Sequence, residues 1–366
     1  MRFGLVGSCL LLWPGFQLCS PAVGEEGAAL PAPRCEPVIH GVLWWVDPAA
    51  HGPKLLEILD AMDRVGMNTL WILGPQTWLI DPAAPLLERI YAEADRRRWR
   101  VILATSGMGD WYHRWDIPAL VKTEEADITD LARRYGRHSS FFGWYINYEI
   151  YMEWDEKSRM IRRLYNRIGE LTRQATPTAK LTISPFFLAD KNHVRGDFRY
   201  ATPDEYGRWW SETIRQAGID VVMLQDSGAE HCECVEPSTR MAFLDAMRRA
   251  AVARGAELWG NVEMVEYRAK DWGEYGRRLR QHRASGTAYP WSFDMKRNAL
   301  KLDLASRYCT DIVSWGWEFW NPALPQTEVG DSRASYAAYQ EYLRTLPTTR
   351  PVEPQLKEKA EEASVH

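Results

Sequence analysis

Phe142-Gly143-Trp144-Tyr145-Ile146-Asn147-Tyr148-Glu149 is an apolar run that closes on a carboxylate, and Leu258-Trp259-Gly260-Asn261-Val262-Glu263 closes the same way. A strand buried on both faces of a parallel sheet reads as such a continuous hydrophobic run. Six further runs resemble these two: Val38–Val46, Thr69–Leu73, Val101–Thr105, Leu181–Ser184, Val221–Leu224 and Ile312–Trp317. Amphipathic segments fall between them, at Leu55–Met62, Leu86–Ala94, Met160–Ala175, Asp204–Ala217, Ala242–Ala253 and Asn298–Tyr308. Strands alternating with helices predict a parallel α/β fold, and eight strands predict a (β/α)8 TIM barrel over residues 38–346. The stretch Asp271–Phe293 has no place in that alternation and reads as an insertion beside the seventh strand.

The 366 residues, 46% of them hydrophobic, suffice for one large core. With 45 basic residues against 49 acidic ones, the net charge of -4 gives no reason to expect nucleic acid or an anionic membrane as partner. Residues 1–24 read as an export signal, with Arg2 before a largely apolar stretch and small residues near Gly24. A periplasmic or secreted protein is therefore expected. That apolar stretch, broken by Pro14, is too short for a comfortable membrane span, and no later segment qualifies as transmembrane. Residues 25–37 read as a leader segment and 347–366 as a disordered tail. Oligomeric state is not legible.

Cleavage of the signal would leave Cys35, Cys232, Cys234 and Cys309, which allow three full pairings in an oxidising compartment. Cys35 precedes the first strand and Cys309 the last, and those strands are neighbours in a closed barrel. A Cys35–Cys309 disulfide is expected on that ground. The C-x-C spacing at Cys232 and Cys234 is tighter than structural zinc sites use, and no second pair completes four ligands. Neither a metal nor another cofactor is expected. Phosphate-loop, dinucleotide, nucleophile-elbow and zinc-protease motifs are all missing from the sequence.

On a barrel of this kind, functional groups stand where strands give way to their loops. Glu149 and Glu263, after the fourth and seventh strands, would then open onto one mouth from opposite sides. Two such carboxylates suit glycoside hydrolysis, in which one protonates the leaving oxygen and the other attacks or stabilises the anomeric carbon. Asn147 and Asn261 could hold a sugar hydroxyl or orient the acids. Gln225 and Asp226 end the sixth strand; Asp226 either tunes a neighbouring carboxyl or caps its own loop through backbone N–H groups. Eighteen tryptophans are many for this length, and indole faces suit the C–H faces of sugars. Trp45, Trp111 and Trp315, together with Tyr145, are the candidate aromatic contacts. Trp111 belongs to the loop Gly107–His113, which mixes glycine, aromatic and ionisable residues.

Phe142–Glu149, Leu224–Gly228, Asn261–Glu263 and Ile312–Pro322 together resemble a family of secreted proteins known as domain of unknown function 4434, grouped with barrel glycoside hydrolases. The likeness spans most of Val38–Leu346. It implies an exported glycoside hydrolase acting on an oligo- or polysaccharide, with Glu149 as acid/base, Glu263 as nucleophile and retention of configuration. The alternative is a carbohydrate-binding barrel without catalysis. Similar barrel glycosidases place asparagine immediately before the acid/base, whereas here Tyr148 intervenes, so that Asn147 and Glu149 would share one side of an extended strand.

Overall fold

The computed structural model describes residues 35–73, 85–106, 116–149, 156–189, 193, 199–227, 235–285, 291–324, 326–327 and 329–347. The expected export signal, most of the leader and the tail beyond residue 347 lie outside them, as do Trp111, Cys232 and Cys234. The strands are β1 (Gly41–Trp45), β2 (Thr69–Leu73), β3 (Arg100–Ala104), β4 (Phe141–Ile146), β5 (Lys180–Ile183), β6 (Val221–Gln225), β7 (Glu257–Asn261), β8 (Val265–Tyr267), β9 (Trp291–Phe293) and β10 (Asp311–Ser314), with a short antiparallel pair, β11 (Gln326–Thr327) and β12 (Gly330–Asp331), after them. Eight of them close into a parallel barrel in the order β1-β10-β7-β6-β5-β4-β3-β2. This is the predicted (β/α)8 TIM barrel. The predicted last strand stops three residues early, because Gly316 adopts a left-handed φ of 86° and turns the chain at Trp315.

The principal helices are α1 (Pro48–His51), α2 (Leu55–Asp63), α3 (Pro85–Arg97), α4 (Ile117–Tyr135), α5 (Glu156–Ala175), α6 (Pro203–Ala217), α7 (Pro237–Val252), α8 (Trp272–Ser285), α9 (Met295–Ser306) and α10 (Ser332–Thr345). Sequence reading overlooked α4, and its composition explains why. Its buried face carries Glu124 and Asp127 among Ile128, Leu131 and Tyr135, which interrupts the apolar period that marks a helix. The expected insertion is real: α8 is followed by β9, which pairs antiparallel with β8 beside the end of β7.

Alternation along each strand splits the core in two. Val42, Trp44, Leu70, Ile72, Val101 and Leu103 join the layer shared with the helices. Leu43, Trp71, Ile102, Tyr145, Met223, Trp259 and Val313 fill the barrel interior. Below that plug, at the N-terminal ends of the strands, Asp311 accepts from His40 Nδ1 at 2.7 Å and from Arg100 Nη2 at 2.9 Å. Burial pulls the Asp311 carboxyl upward, but His40 and Arg100 outweigh it and hold it below the ordinary range. The Arg100 guanidinium also lies over Phe142 and Trp259, at 5.4 and 5.1 Å from their ring centroids. Such a sealed floor serves stability and leaves the opposite end for chemistry.

The expected Cys35–Cys309 disulfide is not formed, and both residues are free thiols. The topological premise holds, since β1 and β10 pair directly. Cys35 Sγ stands 4.0 Å from the Ser306 carbonyl oxygen, and Cys309, fully buried beside Gly260, lies near enough to Cys35 for that thiol to add to the rise that burial causes. Burial pushes the Cys35 thiol up to about 12, so it carries little thiolate at neutral pH.

Gly143 is the tightest point of β4. A Cβ there would stand 2.1 Å from the Lys180 carbonyl oxygen of β5, where the β3–β4 register also shifts. Gly143→Ala is expected to lower stability by about 3 kcal/mol or more, since backbone rather than a pliable side chain blocks the methyl group. Urea unfolding of the two proteins, giving equal midpoints, would contradict that packing.

Candidate active site

β4 ends at Ile146, and the chain turns at Tyr148, where the Glu149 N–H donates to the Asn147 carbonyl oxygen at 3.1 Å. Tyr145 lines the interior, and the turn carries Glu149 back over it. Tyr148 faces the other way, where its hydroxyl donates to Glu124 Oε1 at 2.7 Å and its carbonyl accepts from Tyr165 Oη at 2.6 Å. Burial raises the Glu124 carboxyl, so a residue absent from the sequence reading anchors the strand end from α4.

Tyr145 Oη donates to Glu149 Oε1, and Gln225 Nε2 donates to Glu149 Oε2 at 2.9 Å. The same Gln225 amide reaches the Ser184 carbonyl oxygen at 2.8 Å, and Asn261 Nδ2 reaches Ser184 Oγ at 3.0 Å. Gln225 and Asn261 are register partners on β6 and β7. The ends of β4, β5, β6 and β7 are thereby tied into one polar rim above the interior plug. Asn147 contributes differently, donating from Nδ2 to the Ser106 carbonyl oxygen at 3.2 Å and so joining β4 to the end of β3.

Glu263 lies two residues beyond Asn261 and is only 2% exposed. Both of its backbone polar groups are held. Its N–H donates to Asp226 Oδ1 at 3.4 Å, and its carbonyl oxygen accepts from Lys301 Nζ of α9. Asp226 thus braces the segment after β7, a contact different from both the loop cap and the tuned carboxyl expected of it. Its Oδ2 faces Lys301 Nζ at 3.3 Å and Arg240 Nη1 of α7 at 3.6 Å. Lys301 and Arg240 also meet Glu266 Oε1 at 3.2 and 3.3 Å, and Arg297 Nε donates to Glu266 Oε2 at 2.6 Å. Burial pushes Glu266 upward, but Lys301, Arg240 and Arg297 together bring it down to about 2. This buried ion cluster grips the Glu263 segment from behind.

Among the expected aromatic contacts, Trp45 at the end of β1 is 39% exposed and free to meet a ligand face. Trp315 is half-buried, with its ring 5.4 Å from Trp291 and 5.6 Å from Phe319. Tyr145 is fully buried and edge-on to Trp71 at 4.7 Å, so it supports Glu149 from below and offers no stacking face. Among the described residues, no cluster of three or more His, Cys, Asp and Glu side chains has a metal-holding arrangement, and no helix is long and apolar enough to cross a membrane.

Glu318, on the loop that leaves β10, escaped the sequence reading. Burial pushes its carboxyl up to about 7. Because this folded-state value lies above that of an unfolded chain, the stability it supports is complete at low pH and is lost as pH rises through 7. Glu318→Gln is therefore expected to match the wild type near pH 4 and to exceed it at pH 8 by at most about 3 kcal/mol. Thermal melts across that range, with parallel curves for the two proteins, would remove this account.

The sequence profile of a family described as "Domain of unknown function (DUF4434)" matches residues 59–298. Among solved structures, a presumed alpha-L-fucosidase from Bacteroides thetaiotaomicron superposes with a TM-score of 0.66 at 16% identity, covering 89% of this chain and 99% of the other. A GH10 endoxylanase from a sugarcane soil metagenome superposes with a TM-score of 0.51 at 12% identity, covering 83% and 97%. At these identities the likeness concerns the fold. No protein of curated function matches in sequence.

Proposed function

We propose, for a chain that belongs to the DUF4434 family, an exported glycoside hydrolase that cleaves an oligo- or polysaccharide with retention of configuration. The observation that carries this reading is that Glu149 and Glu263 follow the ends of β4 and β7, while Gln225, which donates to Glu149 Oε2, is the register partner of Asn261, two residues before Glu263. Those ends lie on the face where barrels of this kind do their chemistry.

Glu149 is the acid/base. It is half-buried, so it can exchange a proton with water between half-reactions, and the Tyr145 hydroxyl beside it can donate or accept. One contact thus serves both protonation states. Glu263 is the nucleophile: the clamp of Asp226 and Lys301 on its backbone fixes the approach of its carboxylate, and its burial excludes competing water. Asn147 and Asn261 line the same rim, and Trp45 and Trp315 offer ring faces to the sugar.

Reducing-sugar release from a glycan panel tests the reading, and the panel includes fucosides and xylan because the fold neighbours carry those names. Binding without release supports the non-catalytic alternative. Given a substrate, Glu149→Ala is expected to slow glycosides with poor leaving groups by roughly 10²- to 10⁴-fold while sparing activated aryl glycosides. Equal losses on both substrate types would deny Glu149 the acid role.

A further inference from the structure

The loop beyond β10 concentrates buried polar atoms that make no hydrogen bond to the described residues: Trp317 Nε1, Glu318 Oε2, Trp320 Nε1 and Asn321 Nδ2. Buried polar atoms in folded proteins are nearly always paired, and a carboxyl oxygen is the costliest of these four to leave alone. The next residue, Phe319, sets its ring 4.8 Å from Trp291 and 5.6 Å from Trp315, so the loop is continuous with the aromatic wall of the mouth. In the barrel β10 stands directly beside β7, whose end carries Glu263.

We propose that Glu318 is a substrate-binding residue, its carboxyl donating a hydrogen bond to a hydroxyl of a sugar held against Trp291, Trp315 and Phe319. The inference rests on the glycoside reading and adds a third carboxyl to it. An ionised carboxylate can only accept, whereas a protonated one can donate. Burial raises the carboxyl to about 7, so the protonated form is a large share of the protein near neutral pH and dominates below it. The ionisable side chains seen in contact with this loop are Lys54, on the Ala323 carbonyl oxygen, Arg333, on the Pro322 carbonyl oxygen, and Tyr336 and Tyr339 of α10, against Trp317 and Trp320; His51 after β1 and Glu266 on β8 lie on neighbouring elements. Glu266 is committed to Arg240, Arg297 and Lys301, and burial lowers the His51 imidazole, which disfavours a cation there.

The test is the pH dependence of KM, or of Kd where a glycan is bound uncleaved, for the wild type, Glu318→Gln and Glu318→Ala on any glycan the panel identifies. Loss of the neutral form above pH 7 is expected to raise the wild-type KM about tenfold between pH 6 and pH 8. Glu318→Gln, whose amide donates at every pH, is expected to show a flat KM over that range. Glu318→Ala is expected to show a KM several-fold higher, roughly fivefold, already at pH 6. Turnover with a wild-type KM that does not move with pH, or Glu318→Ala with the wild-type KM at pH 6, overturns the role of Glu318 alone. Neither cleavage nor binding of any glycan overturns the glycoside reading and this role with it.

Discussion

Glu263→Gln is expected to lose turnover by on the order of 10⁴-fold or more, the scale on which enzymes lose rate when the covalent nucleophile is removed. The amide keeps the shape of the side chain, and neither backbone contact of residue 263 involves the carboxyl group. Melting temperature and glycan binding are therefore expected to stay close to wild type. Single-turnover kinetics with an activated glycoside, showing a burst in the wild type and none in the variant, check the assignment. Wild-type rates in Glu263→Gln would end the two-glutamate mechanism.

Asp226→Asn has the largest expected effect on the fold. Asp226 and Glu266 are the carboxylates that face Arg240 and Lys301, both of them buried. Neutralising Asp226 leaves Glu266, which Arg297 also engages, as the carboxylate facing both cations among the described contacts. Breaking a buried ion pair from one side costs about 3 to 5 kcal/mol, and that range is expected here by urea unfolding. Activity should fall with stability, because the clamp on the Glu263 backbone loosens. If instead Asp226→Asn keeps wild-type stability and loses turnover, Asp226 is a reacting group and not a brace.

The strand ends were legible because a carboxylate closing an apolar run is a local pattern. Glu149 and Glu263 follow strands that sequence reading placed to within one residue at each end, and Asn147, Gln225 and Asn261 contribute to the polar rim. Glu318 was missed for the opposite reason. It sits among Trp315, Trp317, Phe319 and Trp320, where the surrounding hydrophobicity reads as a strand, and only the turn at Gly316 makes a loop of it. Lys301, Arg240 and Glu124 were missed because an ion-pair or hydrogen-bond partner 14 to 75 residues away leaves no local trace.

What the sequence determined by itself is the barrel: its period of strand and helix is written in short-range hydrophobic alternation, and eight parallel strands with crossover helices have few ways to close. Tertiary structure decided the work of each polar residue. Asp226 became a brace because α7 and α9 bring Arg240 and Lys301 to it, and Tyr145 became a support because the interior packs Trp71 against its ring. Cys35 and Cys309 are free thiols although β1 and β10 meet, because strand pairing brings the two cysteines near each other without by itself forming the bond. Burial and partner geometry govern charge and reactivity, and both are long-range properties that no short stretch of chain encodes.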